Sequence, residues 1–313
     1  MTLLYHSPDF LAHDTGRHPE RAERLVQVVR HLERTRLVER CHCPRWKPLG
    51  EAEMAGSHDA DYLAELQAFV RRGGGRIEQD TVVSDASFDV AALAAGAVCD
   101  AVDRLLAGDT ERTALCLARP PGHHALRDGA MGFCLLNHIA LGARRATDQH
   151  ELDRVLIVDW DVHHGNGTQD AFWEDGRVGF LSIHRWPFYP GSGADDETGG
   201  GAGQGTTLNL PIEFGTSRRE YLDCFTTRLH DFADRIRPQL VLLSAGFDSH
   251  RDDPIGSLGL ETEDFIPLTE AVLAVADQFA EGRLVSLLEG GYNPGVLAGC
   301  IEQHLTTLLD HDS

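Results

Sequence analysis

The sequence is most constrained at residues 154–169, RVLIVDWDVHHGNGTQ, where an unbroken apolar run changes abruptly into a polar one. The run at 155–158 is β-branched and aliphatic, which is typical of a strand buried on both faces of a parallel sheet. Asp159, Asp161 and His163 then alternate with apolar residues, so in an extended chain their side chains leave the strand end on one face. The predicted fold therefore has this strand inside it and polar chemistry at the strand's carboxyl end.

The same stretch has the spacing of a metal site. The carboxylate of Asp161 and the imidazole of His163, two residues apart, can both reach one ion at the distance of roughly 2 Å that zinc prefers. An isolated Asp-x-His in a loop is more often a solvated turn, so the motif needs support from the rest of the chain. Gly165 and Gly167 allow the backbone to turn sharply before a helix, which we expect to begin near Thr168.

Apolar segments of the same kind recur along the chain, and several of them also stop at a group of polar residues. Amphipathic segments with helical spacing lie between them, so the pattern predicts an α/β fold, with ligands bound at the carboxyl edge of a mostly parallel sheet. Besides the strand at 155–158, the predicted strands are 2–6, 113–118, 178–183, 208–211, 240–244 and 283–288. The main predicted helices are 18–38, 61–72, 90–107, 218–237 and 262–280.

The ends of the other strands supply the rest of a candidate catalytic site. His123 and His124 follow the strand at 113–118, and imidazole is the side chain whose pKa lies nearest neutral pH, which suits a general acid and base. Tyr292 follows the last strand after two glycines, which give its backbone freedom to place a phenol against a reacting group. Asp248 follows the strand at 240–244 as a further isolated carboxylate.

These strand ends together predict one catalytic zinc ion. With Asp161, His163 and Asp248 as three ligands, an open coordination position remains for water and substrate, as catalytic zinc sites require. The two histidines and the tyrosine would surround that position.

The composition excludes some partners. Asp and Glu number 49 against 28 Lys and Arg, and the formal net charge of −21 argues against nucleic acid as a direct partner and favours cationic substrates. No apolar run approaches the roughly 20 residues of a membrane span, and the amino terminus lacks a signal-peptide pattern. Seven cysteines without a CxxC pair suit reduced thiols, so we predict a cytoplasmic protein of undetermined oligomeric state.

The motifs RPPGHHA, DWDVHHGNGTQ, SIH, SAGFDSH and LEGGYN resemble those of the zinc-dependent histone deacetylase family. That family includes bacterial deacetylase-like amidohydrolases and acetylpolyamine amidohydrolases. The match runs from about His18 to the end of the sequence, and the order of the motifs makes chance agreement improbable. The resemblance implies a single catalytic domain over residues 1–313, with the three-layer α/β/α fold shared by arginases and deacetylases.

Carried over by position, the resemblance gives roles to the candidate residues. It implies the same three zinc ligands, and it places His123 and His124 on the family's tandem catalytic histidines. Tyr292 falls on the phenol that stabilises the transition state. Asp159 matches the carboxylate that orients the first histidine. Asn166 stands where some members have an aspartate partner for the second histidine, which predicts a less basic His124.

The resemblance also implies an acyl tunnel and one or two structural potassium ions. Phe133 and Tyr189 match the tunnel walls, and Arg24 resembles an arginine deeper inside. We assign Gly132, Ile255 and Asp80 to the same tunnel. The first potassium site would use Asp159, Asp161, His163, Ser182 and Ile183. The second would use backbone oxygens near Phe172, Asp175 and Val178.

Three alternative functions remain to be weighed. A two-manganese ureohydrolase of the arginase type would need aspartates where Gly165 and His250 stand, so one catalytic metal is preferred. An inactive acyl-lysine binder would be expected to lack a zinc ligand or the tyrosine, and neither is missing. An acetylpolyamine deacetylase stays open, although Ile255 is apolar where some polyamine-specific relatives carry an acidic gate, which favours acyl-lysine peptides or proteins.

Overall fold

The computed structural model describes residues 2–108 and 110–311, and a seven-stranded sheet forms the centre of this part of the chain. The strands are β1 (Leu3–Tyr5), β2 (Gly75–Arg76), β3 (Val82–Val83), β4 (Thr113–Cys116), β5 (Val155–Asp159), β6 (Val178–Trp186), β7 (Thr207–Glu213), β8 (Leu240–Ala245) and β9 (Leu284–Leu288). The sheet has the order β1-β4-β9-β8-β5-β6-β7, and all its neighbouring strands are parallel. Strands β2 and β3 form a separate antiparallel ribbon.

Helices cover both faces of the sheet, because its central strands are buried along their whole length and have no solvated face. The helices are α1 (Glu23–Arg34), α2 (Glu51–Met54), α3 (Ala60–Arg71), α4 (Ser87–Ala107), α5 (His138–Arg144), α6 (Asn166–Phe172), α7 (Arg218–Ile236), α8 (Phe265–Phe279) and α9 (Pro294–His311). One layer contains α4 and α5, which pack on each other, and the other contains α7, α8, α9 and α1, packed in that order. The predicted single-domain, three-layer α/β/α architecture is confirmed.

The seven predicted strands of the sheet are all present, but the start of the first helix needs correction and the last helix was not predicted. The first helix begins at Glu23 rather than near residue 18, because His18 and Glu20 are used in contacts with other parts of the chain. Helix α9, which packs between α1 and α8, was not predicted, although its buried residues Leu297, Ile301, Leu305 and Leu308 follow helical spacing.

The strand order explains how distant residues reach one site. Strands β4, β9, β8 and β5 are consecutive neighbours, so the segments that follow them leave the sheet at one edge. Those segments carry the polar residues singled out by the sequence. No helix in the ranges that the structure describes is both long enough and apolar enough to span a membrane.

Candidate functional site

Asp161, His163 and Asp248 converge at the carboxyl edge of β5 and β8. One potential ligand atom from each lies within 4.8 Å of the others, and all three side chains are buried. His163 Nδ1 is 3.0 Å from Asp161 Oδ1 and 3.2 Å from Asp248 Oδ2. The predicted ligands therefore meet at one point.

Backbone groups orient the two carboxylates of this triad. The amide of Val162 donates to Asp248 Oδ1 at 3.0 Å, and the amide of Gly290 donates to Asp161 Oδ2 at 2.8 Å. Asp248 Oδ2 is buried and accepts no hydrogen bond, although it lies beside His163. Burial and the nearby charge of Asp161 raise the pKa of Asp248 to about 7. A buried carboxylate oxygen without a donor, next to a second carboxylate, favours a cation.

Two positions beside the triad require glycine, because the carboxylates of Asp161 and Asp248 lie too close to the backbone to leave space for a Cβ. A Cβ on Gly290 would lie 2.2 Å from Asp248 Oδ2 and 2.5 Å from Asp161 Oδ2, and one on Gly246 would lie 2.1 Å from Asp161 Oδ2. The two glycines before Tyr292 therefore have different reasons: Gly290 leaves space for the carboxylates, and Gly291 has a φ of 123°, which gives the backbone conformation expected there.

The tandem histidines have different partners. His123 Nδ1 is 2.9 Å from Asp159 Oδ2, whereas His124 Nδ1 is 2.7 Å from Asn166 Oδ1, and the two imidazole centroids are 4.0 Å apart. The other amide atom of Asn166, Nδ2, points to the sulfur of Met131 at 3.4 Å, which agrees with Oδ1 facing the histidine. His124 therefore donates from Nδ1, and its Nε2 keeps a lone pair.

The pKa values of the two imidazoles are shifted in opposite directions. Burial opposes the charged form of His123, but the carboxylates of Asp159, Asp161 and Glu289 outweigh it and raise its pKa to about 10. Burial, together with the positive charges of His123 and His163, lowers the pKa of His124 well below its ordinary value. One histidine is thus held charged and its neighbour is held neutral, although the bond to Asn166 by itself raises the pKa of His124.

Tyr292 faces this group from the end of β9. Its backbone amide donates to Asp253 Oδ2 at 2.6 Å, and the guanidinium of Arg24 lies 4.9 Å from its ring centroid. Arg24 is fully buried and donates to the carbonyl of Gly291 at 2.6 Å and to Glu20 Oε1 at 3.2 Å. Burial raises the pKa of the Tyr292 phenol well above its ordinary value, so the phenol is a protonated donor.

Comparison with known proteins agrees with this geometry. A family model described as the histone deacetylase domain matches residues 18–308. The chain belongs to the histone deacetylase family. It is 35% identical over 283 residues to the histone deacetylase-like amidohydrolase of Pseudomonas aeruginosa, with 90% of this chain and 73% of that protein covered.

Other relatives cover nearly the whole chain. It is 36% identical to histone deacetylase 10, chloroplastic, of Oryza sativa subsp. japonica, over 99% of this chain and 74% of that protein. The crystal structure of the HDA15 HD domain matches with a TM-score of 0.92 at 30% identity, over 99% of this chain and 88% of that one. The recognised resemblance is confirmed, and with it a family of metal-dependent deacetylases and amidohydrolases.

Three of the residues assigned to the acyl tunnel of this histone deacetylase family member lie against His124 or Tyr292. The ring of Tyr189 meets that of His124 edge to face at 5.3 Å, and Phe133 meets Tyr292 in the same way at 5.6 Å. A Cβ on Gly132 would lie 2.3 Å from the His124 ring, so this position admits only glycine. The remaining two assigned residues are half-buried on nearby loops, Asp80 before Thr81 and Ile255 after Asp253.

The residues assigned to potassium occupy two separate places. Ser182 and Ile183 are buried on β6, where Ser182 pairs with Asp159 of β5. Phe172, Asp175 and Val178 form a closed turn, in which the Asp175 amide donates to the Phe172 carbonyl at 3.1 Å and the Val178 amide to the Asp175 carbonyl at 3.3 Å. The potassium assignments stay predictions.

Sequence reasoning missed three buried acids that hold the site together. Glu289 accepts from the amides of Gly122 and His123 at 2.7 and 3.2 Å, which joins β9 to the histidine segment. Asp253 accepts from the amides of Tyr292 and Ile255. Glu20 binds Arg24 and Arg119. Only Glu289 carried a signal, because it ends an apolar strand directly.

Proposed function

We propose that this protein is a zinc-dependent deacylase that removes acetyl or other short acyl groups from the side-chain nitrogen of lysine in proteins or peptides. The observation that carries the proposal is one buried cluster, in which two carboxylates and the His163 imidazole converge beside the tandem histidines and Tyr292. Amide hydrolysis needs these parts together: a metal site, a base for water and a donor for the oxyanion.

Asp161, His163 and Asp248 fit zinc on chemical grounds. Their one nitrogen and two oxygen donors are a set that zinc accepts, and Asp248 Oδ2, which accepts no hydrogen bond, is available as a ligand atom. When bound there, zinc would supply Lewis-acid activation of the acyl carbonyl and of the attacking water. Cation binding would also favour the ionised form of Asp248 and the neutral form of His163.

The two histidines would divide the proton transfers. His124, neutral and with its Nε2 lone pair available, is the base that takes a proton from water. His123 is held in its charged form by Asp159. Because a second positive charge beside it is unfavourable, His124 stays neutral until it accepts the proton from water. The proton then passes from one of these imidazoles to the leaving amine.

Tyr292 would donate its hydroxyl hydrogen to the carbonyl oxygen as negative charge develops there. The Asp253 contact fixes its backbone, and Arg24 lies over its ring. Phe133 and Tyr189 would enclose the alkyl chain of the substrate and exclude water around the reacting amide.

Acyl-lysine is favoured over acylpolyamine because Ile255 presents an apolar side chain on the loop that Asp253 ties to Tyr292. An acidic residue there would instead offer a partner to a polyamine nitrogen. Potassium at the two assigned sites and a cytoplasmic location complete the proposal, and both rest on the family resemblance and the sequence.

The test is turnover of a fluorogenic acetyl-lysine peptide before and after treatment with a chelator. We expect activity to disappear on chelation and to return with Zn²⁺. Full activity should be reached at a bound ratio of about one zinc ion per chain. Binding of the peptide without turnover would identify an acyl-lysine binder instead. Parallel kinetics with acetylpolyamines and with longer acyl chains would overturn the lysine assignment if a polyamine had the higher kcat/KM.

A further inference from the structure

The loop at residues 187–206 joins β6 to β7 and carries Tyr189, one of the residues assigned to the tunnel. Seven of its 20 residues are glycine. Glycine gives the backbone the most conformational freedom, so a loop of this composition keeps one conformation only where other parts of the chain bind it. The residues that bind the loop therefore determine where Tyr189 lies.

A pair of adjacent histidines binds the first part of this loop. The ring of His163 stacks on Phe188 with 5.3 Å between centroids and meets Tyr189 edge to face at 6.1 Å. His164 Nδ1 lies 2.9 Å from the hydroxyl oxygen of Ser192. The segment from Tyr189 to Ser192 is thus held at both of its ends by side-chain contacts with the same dipeptide.

Gly193, the next residue, is held on every side. Its carbonyl accepts from His184 Nε2 at 2.9 Å, and its amide donates to the two carboxylate oxygens of Glu197 at 3.0 and 3.1 Å. The amide of Ala194 donates to Glu197 Oε1 at 3.1 Å. A Cβ on Gly193 would lie 2.5 Å from His184 Nε2 and 2.6 Å from the ring of His164, so the backbone has no room to move there.

Glu197 is itself bound by helix α6 through Gln169. The side-chain amide of Gln169 donates from Nε2 to Glu197 Oε2 at 2.6 Å. Its oxygen accepts from Asn209 Nδ2 of β7 at 2.7 Å and lies 3.1 Å from His164 Nε2. A carboxylate only accepts hydrogen bonds, so Glu197 and these other two partners together fix which way the Gln169 amide faces. We call Gln169 and Glu197 the loop clamp.

We propose that the loop clamp holds Tyr189 against His124 and thereby determines how tightly the protein binds substrates with long acyl chains. Both members are positioning residues, because they act on the substrate only through the ring of Tyr189. When the clamp is broken, Tyr189 occupies its place in only a fraction of the molecules, and the apparent affinity falls by that fraction. This inference rests on the proposed deacylase function and adds a determinant of its acyl selectivity.

The variant Glu197→Gln breaks the clamp with little change in volume. The amides of Gly193 and Ala194 need the remaining oxygen, so the new NH2 group faces the NH2 group of Gln169. If Tyr189 is in place in about a third of the molecules, KM for a hexanoyl-lysine peptide rises about threefold while kcat stays within about twofold. Because the ring would cover alkyl carbons, the rise should be smaller for an acetyl-lysine peptide.

Exchanging the two partners provides the rescue. The double variant Gln169→Glu with Glu197→Gln again places a donor opposite an acceptor and keeps the net charge of the protein. It should return KM for both peptides to the wild-type values, as expected for two residues that are coupled. The matched control is Asp196→Asn, which removes the same charge from the neighbouring, exposed position of the loop and should leave KM unchanged.

A double-mutant cycle with Tyr189→Ala tests the route of the effect. Adding Glu197→Gln to Tyr189→Ala should raise KM no further, because the ring through which the clamp acts is already absent. Ser192→Ala gives a second, milder variant from a partly exposed position, and it removes the contact with His164. It should raise KM for the hexanoyl peptide in the same direction but by less. Melting temperatures are measured alongside, so the comparison is made between folded proteins.

The outcomes separate this proposal from the one before it. No turnover of either peptide by the wild-type protein would overturn the deacylase function itself. Turnover with an unchanged KM in both Glu197→Gln and Ser192→Ala would overturn the role of the clamp and leave that function standing. A KM that the exchange does not restore, or that rises by the full factor without the Tyr189 ring, would also overturn it.

Discussion

The candidate site has two regions that are built differently, and we call them the floor and the rim. The floor comprises Asp161, His163, Asp248, the two histidines at 123 and 124, and Tyr292. Each of its residues is no more than 8% exposed. The rim comprises Phe133, Tyr189, Ile255 and Asp80, which are half-buried or exposed, with Tyr189 at 37%.

The regions also differ in what holds them. Floor carboxylates accept hydrogen bonds from backbone amides at neighbouring strand ends, as Asp161 does from Gly290 and Asp248 from Val162. Rim residues are held by ring contacts and by loops, as Phe133 is by His18 at 4.5 Å between ring centroids. The floor is therefore expected to determine whether the reaction occurs, and the rim to determine which substrates enter.

The largest effect should come from adding one methyl group to the floor. In Gly290→Ala the new Cβ would overlap one oxygen each of Asp248 and Asp161, so both proposed ligands must move. We expect zinc content to fall and kcat/KM to drop on the order of 10³. Zinc analysis and kinetics on the same preparation measure it. In the control, Gly295→Ala, the nearest atom is 3.9 Å away, and both values should stay at wild-type level.

Removing a single hydroxyl from the floor should have the next largest effect. Tyr292→Phe should keep its zinc and its melting temperature yet lose on the order of 10² to 10³ in kcat, because the oxyanion loses a donor. Tyr221 is a control of the same kind, since its hydroxyl is also buried and makes no hydrogen bond. Tyr221→Phe should retain full turnover. Equal activity in the two variants would contradict the assigned role of Tyr292.

The unequal histidine partners predict a change in pH dependence. In Asn166→Asp a carboxylate would face His124 Nδ1 and stabilise the imidazolium, which raises the pKa of His124. A base must be unprotonated to act, so the acidic limb of kcat/KM against pH should move upward by about one to two units. Below that limb the variant should lose about tenfold per unit.

The matched control adds the same charge far from the floor. Gln239 lies just before β8, at the opposite edge of the sheet, and accepts from the amides of Asp153 and Arg154. Gln239→Glu should leave the acidic limb in place. If both variants moved the limb equally, the shift would reflect net charge rather than the partner of His124.

The same contrast explains how much the sequence could predict. Floor residues follow buried strands directly, so the apolar run at 155–158 fixes the position of Asp161 and His163 once the parallel order is inferred. The rim depends on contacts such as His18 with the carbonyl of Asp80 and Thr81 with Phe133, which join segments 62 and 52 residues apart. No local pattern encodes such pairs, so apart from Phe133, an aromatic residue just downstream of the tandem histidines, the rim residues depend on the family resemblance.

Glu20 is a buried residue that its sequence context did not predict to be buried. It is a charged residue in a polar stretch, yet it is fully buried because Arg24 and Arg119 both bind it. Its sequence context, His-Pro-Glu-Arg, resembles an exposed helix start, and that is why the first helix was predicted to begin too early. The pair with Arg24 has a local i,i+4 spacing, but Arg119 lies 99 residues away, so the sequence gives no sign that Glu20 is buried between the two guanidinium groups.

The smallest effect should come from the rim, and it should depend on the substrate. Tyr189→Ala removes a ring that packs edge to face on His124 and, at 6.1 Å, on His163, without touching the ligand atoms. The ring of Tyr189 would be only partly covered by the substrate, so its loss should cost about half of the burial energy of an aromatic side chain. KM should therefore rise about fivefold while kcat stays within about twofold. Tyr189→Phe keeps the ring and should keep KM. Because the ring covers the alkyl chain, the increase should be greater for long acyl groups than for acetyl. A loss of kcat as large as that of Tyr292→Phe would place Tyr189 in the floor and remove the distinction between the two regions.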